Sequence, residues 1–525
     1  MRFYGLFFLL RTYVFYNQFF WIFIHVIGFH SLMGQVFFSH WTYYAGWGNL
    51  DQIYSTAVDK NGNVYSTGGF QGTVDFDPGP GTFNLSTPPG FLQQDAFVQK
   101  LDSAGNLIWA KRFGGPLDAV EYGHGVAVDD SGNVYLLGAY QRQIQFSPGD
   151  TIWGFGTPSF ERAFLIKMDP QGNIRWGKAW SSQVNTDKIY FDDLVLDTLG
   201  NVFLWGFFGG TIDFDPSSSS SLIQTSLGGS DDPVLVKVDP GGRVKRVRAF
   251  NTTGNDYGRD LSIDGIGNIY LSGDYSGSFD FDNGLGSDIR NSISDGEYFL
   301  SKVDTSFTHV WVNTSSILHY RLDATSSGSI FTSGIFLGTK DFDPSPSVYN
   351  LTSIGGVDGF VSNFNSSGNF QWARNFGGYS QESIRNLDVS NSQILVVGYF
   401  QDSIDLAPGS NAVWKKSNGG EDCFVLLLDS LGNHLGDATF GGIGSDWAWD
   451  GCISDRNNMV IGGQFSNTMD IDPSPAVQNV TSAGNLDMFL VKMALCTKDR
   501  LSYADTACGS YTLPSGSRTF FQSGT

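Results

Sequence analysis

Residues 59–68, DKNGNVYSTG, decide the fold because variants of this stretch recur through the chain. Residues 129–138 read DDSGNVYLLG, and residues 197–206 read DTLGNVFLWG. The glycines that we align at the end of each copy are Gly68, Gly138, Gly206, Gly273, Gly334, Gly398 and Gly462. Their successive spacings are 70, 68, 67, 61, 64 and 64 residues. Seven copies at a spacing of about 65 residues indicate a repeat architecture.

Each copy carries the same sequence of turns and apolar runs. A D-x-x-G-N turn precedes the NVYSTG-like run, and a second such turn lies between DAFVQKLD (95–102) and LIWAKRFGG (107–115). Aspartate accepts backbone hydrogen bonds at the start of such a turn, and glycine adopts the left-handed conformation that it needs. Four antiparallel strands repeated seven times predict an all-β fold, a seven-bladed β-propeller of four-stranded blades. A linear β-solenoid is the alternative, but its coils are usually shorter.

The two ends of the repeat region predict how the ring closes. The seventh copy ends with DMFLVKMALC (487–496) and lacks the WAKRFGG-like strand of the other copies. A strand of that type precedes the first copy, at residues 41–46. We therefore expect the N-terminal strand to complete blade seven, which would remove an exposed sheet edge.

The composition excludes several classes of protein. Of 525 residues, 16% are charged, 15% are aromatic and 66 are glycine, which does not suit a coiled coil, a helical bundle or a disordered chain. Lys and Arg number 31 against 52 Asp and Glu, and the net charge is −21. This balance argues against nucleic acid and anionic membranes as partners, since both require a basic surface.

The termini differ from the repeats. A basic start, an interrupted apolar stretch and the small residues before Gln35 predict an export signal over 1–34, with a retained signal anchor as the alternative. The propeller then covers 35–496, without membrane insertion, in a secreted or cell-surface protein. Cys423 and Cys452 are expected to be buried thiols, and Cys496 and Cys508 are candidates for a disulfide in an exported protein.

The combination of D-x-x-G-N-(V/I)-Y-x-x-G, D-(A/G)-F-(V/L)-x-K-x-D and W-A-(K/R)-x-F-G-G resembles the bacterial β-propeller repeat proteins abbreviated SBBP. The resemblance covers roughly residues 41–496. It implies an exported protein of the Bacteroidota type, and it implies no particular activity. Residues 497–525 resemble the start of a small cysteine-containing repeat, so we expect an incomplete C-terminal module there.

An acidic loop follows the NVYSTG-like strand, and five copies keep two carboxylates in a D-x-D pattern. We favour a structural role, in which aspartate caps the turn and the residue between packs inward. Calcium is the alternative cofactor, because it prefers several oxygen ligands. A catalytic carboxylate pair is the third interpretation, although repetition argues against it. The carboxylates are Asp75, Asp77, Asp213, Asp215, Asp280, Asp282, Asp341, Asp343, Asp470 and Asp472.

Catalytic and phosphate-binding motifs such as H-E-x-x-H, G-x-S-x-G and G-x-x-x-x-G-K-[ST] do not occur in the sequence. Tryptophans at repeat positions, such as Trp109, are expected to pack between blades. Tryptophans that break the repeat are our candidate ligand contacts: Trp153, Trp205, Trp414, Trp447 and Trp449. The leading hypothesis is a non-enzymatic module that binds an extracellular glycan or protein. A carbohydrate-active enzyme and a passive spacer in a larger surface protein are the alternatives.

Overall fold

The structure, a computed structural model, describes residues 36–47, 50–88, 94–115, 120–147, 150–153, 162–180, 187–215, 221–282, 284, 286–292, 296–407, 412–455, 458–496, 511–512 and 519–520. Phe37–Ala494 form one compact unit, which holds the propeller. Met1–Val36 and Leu495–Thr525 form a second unit. The expected export signal and most of the expected C-terminal module lie outside the described residues, as does the Cys496–Cys508 pairing.

The strands follow one another in chain order, and all are short. The first fifteen are β1 (Val36–Ala45), β2 (Gln52–Val58), β3 (Val64–Phe70), β4 (Thr73–Asp75), β5 (Asn84–Ser86), β6 (Asp95–Leu101), β7 (Leu107–Phe113), β8 (Glu121–Val128), β9 (Val134–Tyr140), β10 (Gln143–Ser147), β11 (Asp150–Trp153), β12 (Arg162–Met168), β13 (Ile174–Ala179), β14 (Lys188–Leu196) and β15 (Val202–Gly209). The next fifteen are β16 (Thr211–Asp213), β17 (Ile223–Thr225), β18 (Asp231–Val238), β19 (Val244–Ala249), β20 (Tyr257–Ile263), β21 (Ile269–Tyr275), β22 (Ser278–Asp280), β23 (Ile289–Asn291), β24 (Glu297–Val303), β25 (His309–Ser315), β26 (Leu318–Ala324), β27 (Ile330–Phe336), β28 (Thr339–Asp341), β29 (Asn350–Thr352) and β30 (Asp358–Phe364). The last are β31 (Phe370–Gly378), β32 (Glu382–Ser390), β33 (Gln393–Phe400), β34 (Ser403–Asp405), β35 (Trp414–Lys416), β36 (Asp422–Asp429), β37 (His434–Gly442), β38 (Trp447–Ile453), β39 (Asn458–Phe465), β40 (Thr468–Asp470), β41 (Asn479–Thr481), β42 (Asp487–Cys496), β43 (Tyr511–Thr512) and β44 (Thr519–Phe520).

The strands form the predicted seven-bladed β-propeller. Blades one to four are the antiparallel sheets β2-β3-β6-β7, β8-β9-β12-β13, β14-β15-β18-β19 and β20-β21-β24-β25. Blades five to seven are β26-β27-β30-β31, β32-β33-β36-β37 and β38-β39-β42-β1. The N-terminal strand β1 is thus the outermost strand of blade seven, which confirms the predicted closure. The first strands of neighbouring blades contact one another around the ring, so they line the central channel.

The D-x-x-G-N turns have the predicted geometry. In the first turn, Asp59 Oδ1 accepts hydrogen bonds from the backbone N–H of Asn61 (2.8 Å) and Asn63 (3.0 Å). Gly62 has a φ of +77°, which a residue with a Cβ rarely adopts. The Asn63 side chain donates to Asp59 Oδ2 at 2.7 Å, which explains why asparagine follows glycine in most copies.

Tryptophans at the repeat position join neighbouring blades, as predicted. Trp109 of blade one donates its Nε1–H to the carbonyl of Pro170 in a turn of blade two at 3.1 Å. Trp176 makes the same bond to Pro240 at 3.0 Å, and Trp311 makes it to Ser366 at 3.2 Å. Trp41 of β1 donates to Ser103 of blade one at 3.3 Å, so the closing seam uses the same contact.

A small hairpin follows the second strand of each blade, and two of these hairpins cover the outer edge of the preceding blade. The hairpin β34-β35 of blade six pairs with β31 of blade five, and β40-β41 of blade seven pairs with β37 of blade six. Gly378 permits this approach, because a Cβ atom there would lie 1.7 Å from the carbonyl oxygen of Ser403. The pairs Gly377-Gly378 and Gly441-Gly442 therefore end β31 and β37 where the next hairpin approaches closely. Covering the edge removes a surface that would pair with other chains.

Candidate functional site

The innermost strand of each blade carries a β-bulge at the same place. The register shifts by one residue in β2, β8, β14, β20, β26, β32 and β38. The extra residues are Tyr54, His124, Asp192, Arg259, Tyr320, Arg385 and Trp449, and all seven are half-buried. A bulge turns a side chain away from the regular alternation. One position of a repeated frame therefore carries a varied set of side chains beside the channel.

The glycine that ends each NVYSTG-like run explains the bulge. A Cβ atom at Gly68 would lie 1.8 Å from the carbonyl oxygen of Gln52, and one at Gly398 would lie 2.0 Å from that of Ser383. The carbonyl oxygen of the bulged strand therefore occupies the position that a Cβ atom would take, and only glycine lacks that atom. In blade seven the equivalent residue is Gly463, where a Cβ atom would lie 2.0 Å from the carbonyl oxygen of Trp447. The sequence alignment selected Gly462 instead. Two adjacent glycines made that alignment ambiguous by one residue.

Nine aromatic side chains lie in contact around the channel entrance, at the end where the innermost strands begin. Successive ring centroids are 4.8–5.9 Å apart. We call this set the aromatic belt: Tyr399, Trp447, Trp449, Tyr54, Tyr122, His124, Tyr190, Phe207 and Tyr257. It runs from blade six through blade one to blade four, and every member is half-buried. Half-buried aromatic side chains present apolar faces and polar tips to a ligand.

Two arginines stack on the belt. The Arg385 guanidinium carbon lies 4.5 Å from the ring centroid of Trp449 and 5.1 Å from that of Tyr399, and Nη2 donates to the Tyr399 hydroxyl at 2.7 Å. Arg259 lies 5.1 Å from the ring of Tyr257 and donates to Asp274 at 2.5 Å. These contacts place two of the chain's own cations on faces of the belt.

Carboxylates on the innermost strands join blades four to seven and close the ring onto blade one. Asp260 accepts the backbone N–H of Leu322 at 2.6 Å, and Asp323 accepts that of Val389 at 2.8 Å. The same bond recurs twice more around the ring, from Ile453 to Asp388 at 2.9 Å and from Thr56 to Asp450 at 2.5 Å. These aspartates therefore hold adjacent blades in place as well as lining the channel.

Burial of their ionisable atoms shifts the pKa values of several groups along the channel. Burial raises the pKa of Asp192 to about 7, against the opposing effect of Arg259 and Arg321. Burial and repulsion from Asp260 raise the pKa of Asp193 well above its usual range. Burial lowers the pKa of His124 to about 3, so that imidazole is neutral at physiological pH. Shifted groups that share one cleft mark candidate functional sites.

A second set of buried acids lies at the seams between blades. Glu121 begins the innermost strand of blade two next to Asp95 of blade one, and Glu382 of blade six stands in the same relation to Asp358 of blade five. Burial and repulsion from Asp358 raise the pKa of Glu382 to about 8. Because these pairs recur at equivalent positions, we assign them to the scaffold.

Several buried polar atoms of the belt and channel lack a hydrogen-bond partner within the described part of the chain. They are Nε1 of Trp447, Nε1 of Trp449, both ring nitrogens of His124, Nε of Arg385 and Oδ2 of Asp192. Buried donors and acceptors are nearly always satisfied, so these atoms call for water or ligand groups. They mark the channel entrance as the candidate ligand site.

The structure separates the tryptophans that the sequence singled out. Trp447 and Trp449 lie in the aromatic belt. Trp205 is fully buried between blades three and four, where its Nε1 donates to the Ser272 carbonyl at 2.8 Å, so it reaches no surface. Trp414 is exposed in β35 and stacks on Tyr379 with 6.0 Å between centroids. Trp153 ends β11, and its side chain lies outside the described part.

The D-x-D aspartates lie in separate hairpins and bind their own loops. Asp341 Oδ1 accepts the N–H of Asp343 (3.1 Å) and of Tyr349 (2.8 Å), and Asp343 accepts that of Ser345 (2.9 Å). The first carboxylates of the other copies make equivalent bonds: Asp75, Asp213, Asp280 and Asp470. Asp77, Asp282 and Asp472 each accept the N–H two residues on, and Asp215 forms an ion pair with Lys178 at 3.7 Å.

Blade six offers a natural comparison, because Asp405 closes the same loop although its second carboxylate is replaced by Ala407. The loop therefore needs only the first carboxylate. Within the described residues, no group of three or more His, Cys, Asp or Glu side chains is arranged to hold a metal ion. These contacts support the structural interpretation of the pattern, and calcium stays an untested alternative.

The channel aspartates and arginines were missed from the sequence. A signal existed in the innermost strands, where two consecutive side chains both face the channel between buried neighbours. Asp192-Asp193 between Phe191 and Leu194 is the clearest example. Such a pair breaks the period-two alternation of a strand, which is the mark of a bulge.

Comparison with known proteins agrees with the fold. Residues 108–138 match the β-propeller repeat family SBBP, from the outer strand of blade one to the second strand of blade two. The chain is a β-propeller repeat protein. It is 21% identical to an uncharacterized WD repeat-containing protein of Acanthamoeba polyphaga mimivirus, over 80% of this chain and 35% of that protein. It therefore spans about a third of the length of this relative.

Solved structures with similar shape are distant. A protein of unknown function from Dyadobacter fermentans matches at 8% identity and a TM-score of 0.34, over 88% of this chain and 99% of that one. The extracellular domain of a hybrid two-component system protein from B. thetaiotaomicron matches at 12% identity and a TM-score of 0.22, over 84% and 64%. Scores this low carry no inference about the site. Separately, the described part of this chain contains no helix long and apolar enough to cross a membrane.

Proposed function

We propose that this protein is an exported binding module whose ligand, an extracellular glycan or protein, docks on the aromatic belt at the channel entrance. The observation that carries the proposal is the cluster of unpartnered polar atoms within the belt, led by the indole N–H groups of Trp447 and Trp449. Varied side chains at one repeated position support it, because a ligand site on a symmetric frame requires asymmetry. Export rests on the N-terminal apolar stretch.

Binding of the purified chain to a broad panel of glycans and matrix proteins tests the proposal. We expect saturable binding that Trp449→Ala abolishes and that Trp414→Ala leaves intact, with unchanged folding of both variants by circular dichroism. Running the panel with calcium and again with a chelator separates a cation-dependent ligand from a direct one. Binding that Trp449→Ala leaves intact would refute the assigned site, and a silent panel would favour the spacer alternative.

A carbohydrate-active enzyme is a second candidate, because the channel brings carboxylates together. Burial and repulsion from Asp260 raise the pKa of Asp193 well above its usual range, and a carboxyl group that keeps its proton near neutral pH suits a general acid. This candidate predicts hydrolysis of an oligosaccharide by the wild type and none by Asp193→Asn. Binding without turnover would leave the binding module as the function.

A further inference from the structure

The innermost strands, which carry most of the aromatic belt, hold more acidic than basic side chains. Apart from the seam acids Glu121 and Glu382, the described innermost strands carry six carboxylates: Asp192, Asp193, Asp260, Asp323, Asp388 and Asp450. Against them stand the guanidinium groups of Arg259, Arg321 and Arg385. The whole chain has a net charge of −21, so its long-range field attracts cations.

We infer that the ligand of the aromatic belt is cationic, specifically an arginine- or lysine-bearing peptide segment whose charged end is received by Asp192. The inference rests on the proposed function, because it names the chemistry of the same site. Asp192 is the bulged residue of blade three, and its Oδ2 has no hydrogen-bond partner among the described residues. A buried carboxylate oxygen without a donor is costly, and a guanidinium or ammonium group supplies one.

The belt itself shows how such a side chain would be held. Arg385 lies over Trp449 and Tyr399, and Arg259 lies over Tyr257, at 4.5–5.1 Å from the ring centroids. These are cation–π contacts between arginine and aromatic side chains of the protein itself. A ligand arginine would use the same chemistry with neighbouring rings. Its long apolar stem suits packing along the aromatic rings to reach the carboxylate of Asp192 beside them.

The neighbours of Asp192 leave it able to respond to a cation. Arg259 and Arg321 lower its pKa, whereas burial, Asp260 and Asp274 raise it, and burial prevails, so that the pKa is about 7. Part of the population is then protonated at neutral pH. A cation that binds beside this carboxyl group favours its ionised form, so binding should release protons.

Isothermal titration of the full chain with acetyl-tetra-arginine amide tests the inference, and the citrulline tetramer is the neutral control of equal shape. We expect binding of the arginine peptide only, weakened at least about tenfold by Asp192→Asn. Asp130→Asn makes the same charge change at an exposed turn and should leave the affinity within about twofold. Titration at pH 7 in two buffers of different ionisation enthalpy should show proton release by the wild type that Asp192→Asn reduces.

The outcomes separate this inference from the proposed function. Equal loss of affinity in Asp192→Asn and Asp130→Asn would show non-specific attraction and refute the inference. Preference for the citrulline tetramer, or for neutral N-acetylglucosamine tetramers over both peptides, would also refute it. If Trp449→Ala abolished that neutral binding, the belt would still be the ligand site. The proposed function fails on different evidence, namely binding that is insensitive to Trp449→Ala.

Discussion

The outer and innermost strands of the blades follow opposite rules of sequence. Outer strands repeat the same contact, in which Trp41, Trp109, Trp176 or Trp311 donates to a turn of the next blade. Innermost strands carry a bulge at the same place, yet the bulged residue is tyrosine, histidine, aspartate, arginine or tryptophan. The chain therefore repeats its sequence where blades contact each other and varies it where the channel is lined. A symmetric frame supplies positions, and the variable residues give the site its asymmetry.

The largest expected effect comes from breaking the frame at its closure. Deletion of residues 40–48 removes most of β1, including Tyr43, which is 3% exposed, and the Trp41 contact across the closing seam. Loss of one buried aromatic side chain alone costs about 3–5 kcal/mol, and the total stability of a domain is about 5–15 kcal/mol. We expect the cooperative thermal transition to disappear in calorimetry. A transition at the wild-type temperature would contradict the closure.

The glycine opposite each bulge links the two kinds of strand. It recurs in every blade, and it permits the bulge that carries the variable residue. Gly398→Ala places a Cβ atom 2.0 Å from the carbonyl oxygen of Ser383, which forces the backbone of β32 to move. We expect a loss of about 3 kcal/mol in the free energy of unfolding, measured by urea denaturation. Gly296→Ala is the matched control, since a Cβ there meets no atom within 4 Å, and it should change stability by less than about 0.5 kcal/mol. Similar losses in both variants would show that the close approach is not what requires glycine.

The buried seam acids predict that stability depends on pH with a definite sign. The pKa of Glu382 rises from 4.5 to about 8 on folding, so the folded state binds more protons than the unfolded state between these values. Stability should therefore fall as the pH rises from about 4.5 to about 8 and change little above that range. We expect Glu382→Gln to raise the melting temperature at pH 9 by a few degrees and to change it less at pH 5. A larger gain at pH 5 would contradict the raised pKa.

Substitutions in the acidic hairpins should have the smallest effect on stability. Asp341→Ala removes the acceptor of two backbone N–H groups, whereas Asp343→Ala removes the acceptor of one. We expect losses of about 1–2 kcal/mol and of less than about 1 kcal/mol, respectively, in thermal or urea unfolding. Neither variant nor the wild type should respond to calcium or to a chelator. A calcium-dependent rise in melting temperature that Asp341→Ala abolishes would establish the metal interpretation instead.

The repeated part of the fold could be predicted from the sequence, because the residues that make its contacts recur in the seven copies. Gly62, Asp59 and Trp109 each have equivalents in other copies, so the turns, blades and closure were readable without coordinates. The channel was harder to predict, since Asp192, Arg259 and Arg385 share a position but no residue type. A bulge also reverses the alternation of a strand, which hides an inward side chain from a period-two analysis. Trp447 and Trp449 could be predicted as site residues because they depart from the repeat. Trp205 departs from it as well but is buried between blades, so departure from the repeat does not by itself distinguish the aromatic belt from the core.

Thermal stability and ligand binding, measured together in Trp449→Ala and Trp311→Ala, test the central claim most directly. The first variant alters the aromatic belt, and the second removes a contact between blades. We expect Trp449→Ala to keep the wild-type melting temperature and to lose the ligand found in the panel. We expect Trp311→Ala to lose several degrees of melting temperature and, while folded, to keep the ligand. The reverse pattern, with binding lost through Trp311→Ala and retained in Trp449→Ala, would contradict the division between frame and site.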